Sequence, residues 1–303
     1  MSEMTDFQKK IGVLFPKISI CFEEPLSKHT SFRIGGPAEA MAFPKNREEL
    51  AELLKKSCLW DRKPVILGAG TNVLAPDEGM KGLIICLKDC LDGMERVDGT
   101  SIRVMAGVTM ARAAVFAASQ GLSGLEFAHG IPGTIGGGVY MNAGAYGREL
   151  GSLCREVELM DREGRTHVLT HEQMDFSYRH SCLEETDWIV VSALLSLEPG
   201  KEETIRARMK ELQAKRLASQ PLNYPSAGSA FKRPQGGYAA ALIDQAGLKG
   251  FRVGDAAISE KHGGFAVNLG KATAEDMKTL LKEVSEKVEA RSGIHLEPEI
   301  RVW

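Results

Sequence analysis

An α+β fold divided into two or three domains is what this sequence predicts, and three observations predict it. At 303 residues the chain is too long for one small core. Strand-like stretches dominate residues 25–200 and only two helix-like segments interrupt them, which regular β-α alternation would not give. After Pro199–Gly200 the pattern turns to a charged helix, short strands and a long closing helix, as in a second α+β unit. The composition is 43% hydrophobic and 26% charged with a net charge of −2, which argues against a generic nucleic-acid binder. No apolar run approaches a membrane span. The start, MSEMTDFQKKIG, is acidic early and lacks an apolar core segment, so the expected location is the cytoplasm.

Taken in order, Phe7, Ile11 and Leu14 suggest a short amphipathic helix. Gly35–Gly36–Pro37 then separates an extended Ser31–Ile34 from a strand at Glu39–Phe43. Arg47–Leu59 reads as a helix, with Leu50, Leu53 and Leu54 on one face and Asn46 as its N-cap. A strand at Pro64–Leu67 runs straight into Gly68-Ala69-Gly70-Thr71-Asn72. Such a loop can aim several N–H groups into one concavity, as a phosphate requires. It is not a dinucleotide fingerprint, because the third glycine is absent and Pro76 and Gly79 replace the opening of a helix. No Gly-Lys-Ser/Thr follows, which excludes a P-loop as well.

Gly82–Leu87 is a further strand, and Met94–Val97 with Ser101–Ala106 flank Asp98-Gly99, a strong hairpin signal. An alanine-rich helix from Thr109 to Gln120 stops at Gly121. The stretch Ser123–Gly147 holds eight glycines in 25 residues, interleaved with Leu125, Phe127, Ile131, Ile135, Val139, Tyr140 and Met141. It is therefore no linker. By itself it reads equally as a run of tight turns or as backbone brought close to something flat or anionic. Arg155–Met160 and Thr166–Leu169 form a second hairpin around Asp161–Arg165, and Trp188–Leu197 is a long strand.

The later part predicts a helix over Glu202–Ser219, a strand at Ser229–Lys232 and a helix at Tyr238–Ala246. Strands follow around Ile258 and at Phe265–Asn268. A helix over Thr273–Ser292 opens with a capping-box-like Thr273/Asp276 and ends at Gly293, before a last strand at Ile294–Trp303. The six cysteines (Cys21, Cys58, Cys86, Cys90, Cys154, Cys182) include no C-x-x-C pair, so reduced thiols are expected. Among the seven histidines there is no H-E-x-x-H, and His167 and His171 lie in strand and turn, so no metal is expected.

Six ordered segments then carry a resemblance that spans nearly the whole chain. They are His29–Gly36, Leu67–Asn72, Gly130–Gly137 with Met141–Gly144, Phe176–Arg179, Pro225–Lys232 and Leu296–Glu299. Together they resemble the UDP-N-acetylenolpyruvoylglucosamine reductase family, flavoenzymes of bacterial cell-wall synthesis. The resemblance implies a vanillyl-alcohol-oxidase/PCMH-type FAD-binding fold of two α+β subdomains, 1–85 and 86–200, the latter joined by strand 294–303. A substrate-binding α+β domain would occupy 201–293. It further implies FAD as cofactor and NADPH as co-substrate, with UDP-N-acetylglucosamine enolpyruvate reduced to UDP-N-acetylmuramate by a monomer.

The same resemblance assigns residues. Gly68, Ala69, Gly70, Thr71 and Asn72 would cradle the pyrophosphate. Gly130, Ile131, Pro132, Gly133, Thr134, Gly136 and Gly137 would let amides approach the cofactor, and Asn142, Ala143 and Gly144 would shape its cavity. Arg179 matches the cation that steadies charge on the substrate carboxylate, Glu299 its acidic partner and Ser229 the proton donor. Tyr178, Lys232 and Arg233 would meet the substrate, with Arg216, Gln220, Tyr224, Gln245, Lys261 and His262 as further candidates. Each of the three catalytic candidates has a plain alternative: a surface arginine, a turn-capping serine and an ion-paired strand glutamate.

Two departures stand out. Arg233 replaces the Asn common before Pro234, and the short run from Arg179 to Asp187 leaves no room for the tyrosine-bearing loop of the longer subtype. A more open substrate site is therefore expected. A flavin oxidase on the same fold, or a nucleotide-binding regulator that has lost the chemistry, are the competing readings.

Overall fold

The computed structural model describes residues 4–57, 60, 62–88 and 90–303. The predicted helix end at Leu59, and Cys58, lie outside the described residues. The chain forms two compact units. One comprises Met1–Phe22, Ala40–Ala69 and Gly82–Ala214; the other comprises Glu23–Glu39, Gly70–Lys81 and Lys215–Trp303. The contacts thus divide the chain along different lines from the expected 1–85, 86–200 and 201–293.

In the first unit a five-stranded antiparallel sheet runs in the order Thr166–Thr170, Cys154–Met160, Ile189–Ser196, Ser101–Met105, Met94–Arg96. Both predicted hairpins lie in it, paired Met160 to Thr166 and Arg96 to Ile102. The central strand Ile189–Ser196 is buried along almost its whole length, as its unbroken apolar run requires. A smaller sheet pairs Val65–Leu67 in parallel with Met80–Cys86.

Helices fill in around these sheets. Helix α1 (Asp6–Leu14) begins with a capping box between Thr5 and Gln8. Helix α2 (Arg47–Ser57) is capped by Asn46, whose Oδ1 accepts from the Glu49 amide at 2.9 Å, and it buries Leu50, Leu53 and Leu54. Helix α3 (Met110–Ser119) buries Ala113, Ala114, Ala117 and Ala118, and Gly121 ends the run in the left-handed region, φ 67°.

The glycine-rich stretch contains a helix that periodicity did not predict, α4 (Ile135–Tyr140, IGGGVY). Glycine disfavours helix interiors by about 1 kcal/mol relative to alanine, so packing must hold this one. A Cβ on Gly136 would stand 3.0 Å from the Ala106 Cβ, and one on Gly138 only 2.9 Å from the Met110 sulfur. Ile135 and Val139 meanwhile insert into the core. The glycines are spent on close approach of α4 to α3 and to the strand end at Ala106. Helix α5 (Glu202–Ser219) follows, with Ile205, Met209 and Leu212 buried as expected.

The second unit has a four-stranded antiparallel sheet ordered Ser226–Ser229, Phe265–Asn268, Ala256–Ile258, Arg252–Val253. Helix α6 (Ala239–Gln245) comes between its first strand and the other three, and helix α7 (Ala274–Ser292) lays Met277, Leu280, Leu281, Val284 and Val288 into the core. The capping box of Thr273 and Asp276 and the left-handed Gly293 are both present, as the sequence predicts. Two remote segments complete this core. Phe32, Ile34 and Leu74 bury in it, and the Asn268 side chain donates to the Phe32 carbonyl at 2.9 Å. Asp77 accepts from the first amides of α7, Ala274 at 2.8 Å and Glu275 at 3.2 Å.

Three expectations are corrected. Ser31–Ile34 is a turn rather than an extended run, since Arg33 adopts φ 58° and its amide bonds back to the Thr30 carbonyl. The strand expected at Ser229–Lys232 instead covers Ser226–Ser229, because Gly228 at φ 77° bends it and shifts its register against Phe265–Asn268. The terminal strand does not join the 86–200 region: Arg301–Val302 pairs in parallel with Val73–Leu74 in the second unit.

Candidate active site

Within the first unit, the end of strand Val65–Leu67 meets the start of α4. A Cβ on Gly68 would lie 2.8 Å from the Thr134 hydroxyl, so the two glycine segments quoted from the sequence face each other at contact distance. Thr134 caps α4, and the loop before it is folded by bonds from Ile135 to Val108 and from Met110 to Gly133. Among the described residues, the main-chain N–H groups of Ala69, Gly133 and Thr134 have no protein acceptor. His129, just before Gly130, has a buried Nδ1 with no partner. A buried polar atom without a partner, such as His129 Nδ1, is rare in a folded protein.

Arg179 sits in this unit on a tight turn. The amides of Ser177 and His180 each bond to the other's carbonyl at 3.2 Å, and Arg179 between them is left-handed, φ 57°. A non-glycine residue there costs about 1–2 kcal/mol, so the turn is held by its surroundings. The guanidinium carbon lies 5.0 Å from the Tyr178 ring centroid, and its Nη2 donates to the Gly144 carbonyl at 3.4 Å. Asn142, itself at φ 43° and buried, donates to the Ser177 carbonyl at 2.7 Å and to Glu149 Oε2 at 2.9 Å. Its Oδ1 accepts from the Gly151 amide at 2.8 Å. The expectation was that Asn142 helps shape a cofactor cavity; its side chain is committed to the protein.

Within the second unit a separate group assembles. Gly70 has φ 61°, and a Cβ there would overlap the His29 carbonyl, while its own carbonyl accepts from the Ser31 amide at 3.0 Å. The first motif, His29–Gly36, thus serves to shape the loop of the second. The main-chain N–H groups of Gly70 and Asn72 also have no protein acceptor among the described residues. His29 Nε2 lies 3.0 Å from Glu24, and this hydrogen bond, with Lys28 nearby, holds the Glu24 carboxyl below its ordinary range against the opposing effect of burial.

Ser229 ends its strand opposite Phe265 and is exposed. The amide of Glu299 donates to the carbonyl of the next residue, Ala230, at 2.9 Å, and the Lys232 amide donates to Glu297 at 2.9 Å. Two of the three catalytic candidates, Ser229 and Glu299, are thereby placed on neighbouring antiparallel segments. Lys232 pairs with Glu297 at 2.6 Å, and Arg233 stacks on Tyr238 with its guanidinium carbon 4.4 Å from the ring centroid. His262 meets Phe265 edge-on at 5.1 Å and accepts the Gly264 amide at Nδ1, 3.1 Å. Burial pushes its pKa down, so the ring is neutral at pH 7.

The predicted residues therefore gather in two sets. Gly68, Ala69, the Gly130–Gly137 run, Asn142, Ala143, Gly144, Tyr178 and Arg179 belong to the first unit; Gly70, Thr71, Asn72, Ser229, Lys232, Arg233 and Glu299 belong to the second. Within the first unit, the acceptor-free N–H groups of Ala69, Gly133 and Thr134, set among glycines, are of the kind that suits a phosphate group of FAD. Sequence reasoning missed what Asn142 and His29 do. Only their place inside the quoted motifs pointed to them. Among the described residues no helix is long and apolar enough to cross a membrane, and no group of three or more His, Cys, Asp or Glu could hold a metal ion.

Residues 38–170 match the family model described as FAD binding domain. Residues 220–303 match that of the UDP-N-acetylenolpyruvoylglucosamine reductase C-terminal domain. The chain is similar to the UDP-N-acetylenolpyruvoylglucosamine reductase of Caldanaerobacter subterraneus, 43% identical over 97% of this chain and 96% of the relative. It is likewise similar to that of Lactococcus lactis, 43% identical over 95% of each. The crystal structure of the reductase from Thermus caldophilus superposes with a TM-score of 0.77 at 36% identity, covering 95% of this chain and 99% of that one.

Proposed function

The chain belongs to the UDP-N-acetylenolpyruvoylglucosamine reductase family, and from that premise we propose how its residues divide the work. It is an FAD-dependent reductase of peptidoglycan synthesis. In our reading, which follows the family motifs, Gly68–Asn72 serve the pyrophosphate of FAD and the Gly130–Gly137 run lets main-chain amides approach the cofactor. FAD, when bound, supplies the hydride that reduces the enolpyruvyl double bond, and NADPH renews it.

The remaining steps fall to side chains. Addition of hydride at the terminal carbon pushes negative charge onto the substrate carboxylate. Arg179 is the cation assigned to that charge, because a fixed guanidinium pairs with a carboxylate through two parallel bonds. Glu299 orders that carboxylate end of the substrate. Ser229 gives the proton of its Oγ to C2; a hydroxyl is a weak acid, but a carbanion-like carbon is basic enough to take it. Tyr178, Lys232 and Arg233 meet the nucleotide sugar, whose diphosphate suits the two cations. The sugar stays partly open to solvent, since only a short turn at Cys182–Glu185 occupies the place of a longer loop. We read the protein as a cytoplasmic monomer, and the free thiols among its described cysteines fit a reducing compartment.

The observation that supports this reading is the bond from the Glu299 amide to the Ala230 carbonyl, which keeps the backbone segments of the proposed proton donor and acid next to each other. The test is to purify the protein, record its visible spectrum and follow NADPH oxidation with and without UDP-N-acetylglucosamine enolpyruvate. A yellow protein whose NADPH oxidation depends on the sugar is expected. A flavoprotein that passes electrons to oxygen and ignores the sugar would overturn the proposal.

A further inference from the structure

Near the end of the glycine-rich stretch lies Asn142, whose side chain reaches the turn carrying Arg179. We infer that Asn142 is a positioning residue for Arg179, fixing the left-handed Ser177–His180 turn so that the guanidinium is held ready for the substrate carboxylate. This inference rests on the catalytic role proposed above for Arg179.

Four observations support it. Asn142 is 2% exposed, and its side chain is fully engaged. One carboxamide N–H goes to the Ser177 carbonyl at 2.7 Å and the other to Glu149 at 2.9 Å, while the oxygen takes the Gly151 amide at 2.8 Å. An amide with both donors and its acceptor committed to protein is built to hold its neighbours in place. Second, the turn is pinned again on its far side, where the Ser181 hydroxyl donates to the Tyr140 carbonyl at 2.8 Å. Both anchors, Tyr140 and Asn142, lie at the C-terminal end of α4. Third, Arg179 itself donates to Gly144, two residues beyond Asn142. Fourth, both Arg179 and Asn142 have positive φ. Such backbone persists only where the surroundings over-determine it.

The geometry therefore gives the stretch a second task. Its helix packs by its glycines, and its tail sets the arginine. Replacing the carboxamide by a carboxylate keeps shape and the bond from Gly151, but removes both donors and faces Glu149 with a like charge.

The experiment uses FAD-loaded enzyme and stopped-flow absorbance. The flavin is first bleached with NADPH, and its reoxidation by UDP-N-acetylglucosamine enolpyruvate is then timed. Four proteins form a cycle: wild type, Asn142→Asp, Arg179→Ala and the double variant. Asn142→Asp is expected to slow reoxidation by about tenfold to a hundredfold, the scale of a 1 Å misplacement. It should leave bleaching by NADPH, flavin content and the flavin spectrum unchanged. In the Arg179→Ala background the same change is expected to slow reoxidation less than about twofold, because the group it positions is gone.

Equal slowing in both backgrounds, or impaired bleaching, would overturn the inference by reducing Asn142 to general structure. Reoxidation at the wild-type rate in Asn142→Asp would overturn it too. If Arg179→Ala alone reoxidises like wild type, the role of Arg179 falls and the positioning role falls with it. Should Asn142→Asp fail to fold, Ser181→Ala loosens the same turn from its other anchor and is read through the same cycle.

Discussion

The side-chain amide of Asn72 donates to the main-chain carbonyl of Glu299 at 3.1 Å, and the Arg301 amide returns a bond to the Asn72 carbonyl at 3.0 Å. The glycine loop and the proposed acid are therefore one hydrogen-bonded body within the second unit. The Ala230–Glu299 bond adds Ser229 to it. Any change that displaces this loop is expected to disturb cofactor retention and proton delivery together.

Replacing the proton donor should separate the two halves of the reaction. Ser229→Ala is expected to keep bleaching of the flavin by NADPH and to lose turnover by about 10²–10⁴-fold, the usual worth of a positioned acid. Because Ser229 is exposed at the end of its strand, the variant should melt at nearly the wild-type temperature. Turnover near wild type would exclude Ser229 as donor.

Gly70 has no tolerance for a side chain. Gly70→Ala combines a left-handed φ of 61° with overlap against the His29 carbonyl, and is expected to cost about 1–3 kcal/mol through strain alone. Thermal melting and the ratio of flavin to protein after gel filtration would measure this. Gly147→Ala is the control: it also has positive φ, 78°, but a Cβ there meets nothing within 4 Å.

Asp161 governs the acid side of stability in the first unit. Its carboxylate accepts the amides of Glu163 and Arg165 and faces Arg165 Nε at 2.7 Å and His167 Nε2 at 2.8 Å. Burial favours its neutral form, but the hydrogen bonds from His167 and Arg165 outweigh this and hold its pKa well below the ordinary carboxylate range. A depressed folded pKa means that the stabilisation is complete above the unfolded value of about 3.9 and drains away as pH falls through the folded one. Asp161→Asn should therefore lower the melting temperature at pH 7 and flatten the loss of stability below pH 4. A variant that melts like wild type at pH 7 would remove Asp161 from this account.

Cysteine labelling should follow burial. Cys90 and Cys154 have thiols pushed up to about 12, for Cys154 by burial alone and for Cys90 by burial with Glu49 and Cys86 nearby. Cys21 is exposed. Brief treatment of native protein with an alkylating reagent at pH 7.5, read by peptide mass spectrometry, is expected to modify Cys21 and spare Cys90 and Cys154. Early modification of Cys154 would contradict the packing around the strand it opens.

Much of this was legible in the residues. The Asp98-Gly99 hairpin, the Asn46 cap, the Thr273 capping box and the Gly293 stop are local signals, set within a few residues, and all are where the sequence puts them. Two of the misreadings share one cause. Helix α4 exists because Ala106 and Met110 leave room only for glycine, and Arg301–Val302 joins Val73–Leu74 through partners far away in the chain. Periodicity and propensity do not carry such distant packing. The site divides likewise: the motifs named Ser229, Glu299 and Arg179, but Asn142's commitment to the arginine turn depends on a bond across 35 positions.

The discontinuous second unit also bears on how the protein is made. Asn72 leaves the ribosome long before its partner Glu299, 227 positions later, and Asp77 waits 197 positions for the amide of Ala274 that it caps. Until then Phe32, Ile34 and Leu74, all destined for a core that does not yet exist, remain uncovered on the nascent chain. At about 5–20 residues per second, that exposure lasts on the order of ten seconds or more in every round of synthesis. The order of translation thus makes this short stretch a natural client for whatever shields apolar surface in the cell.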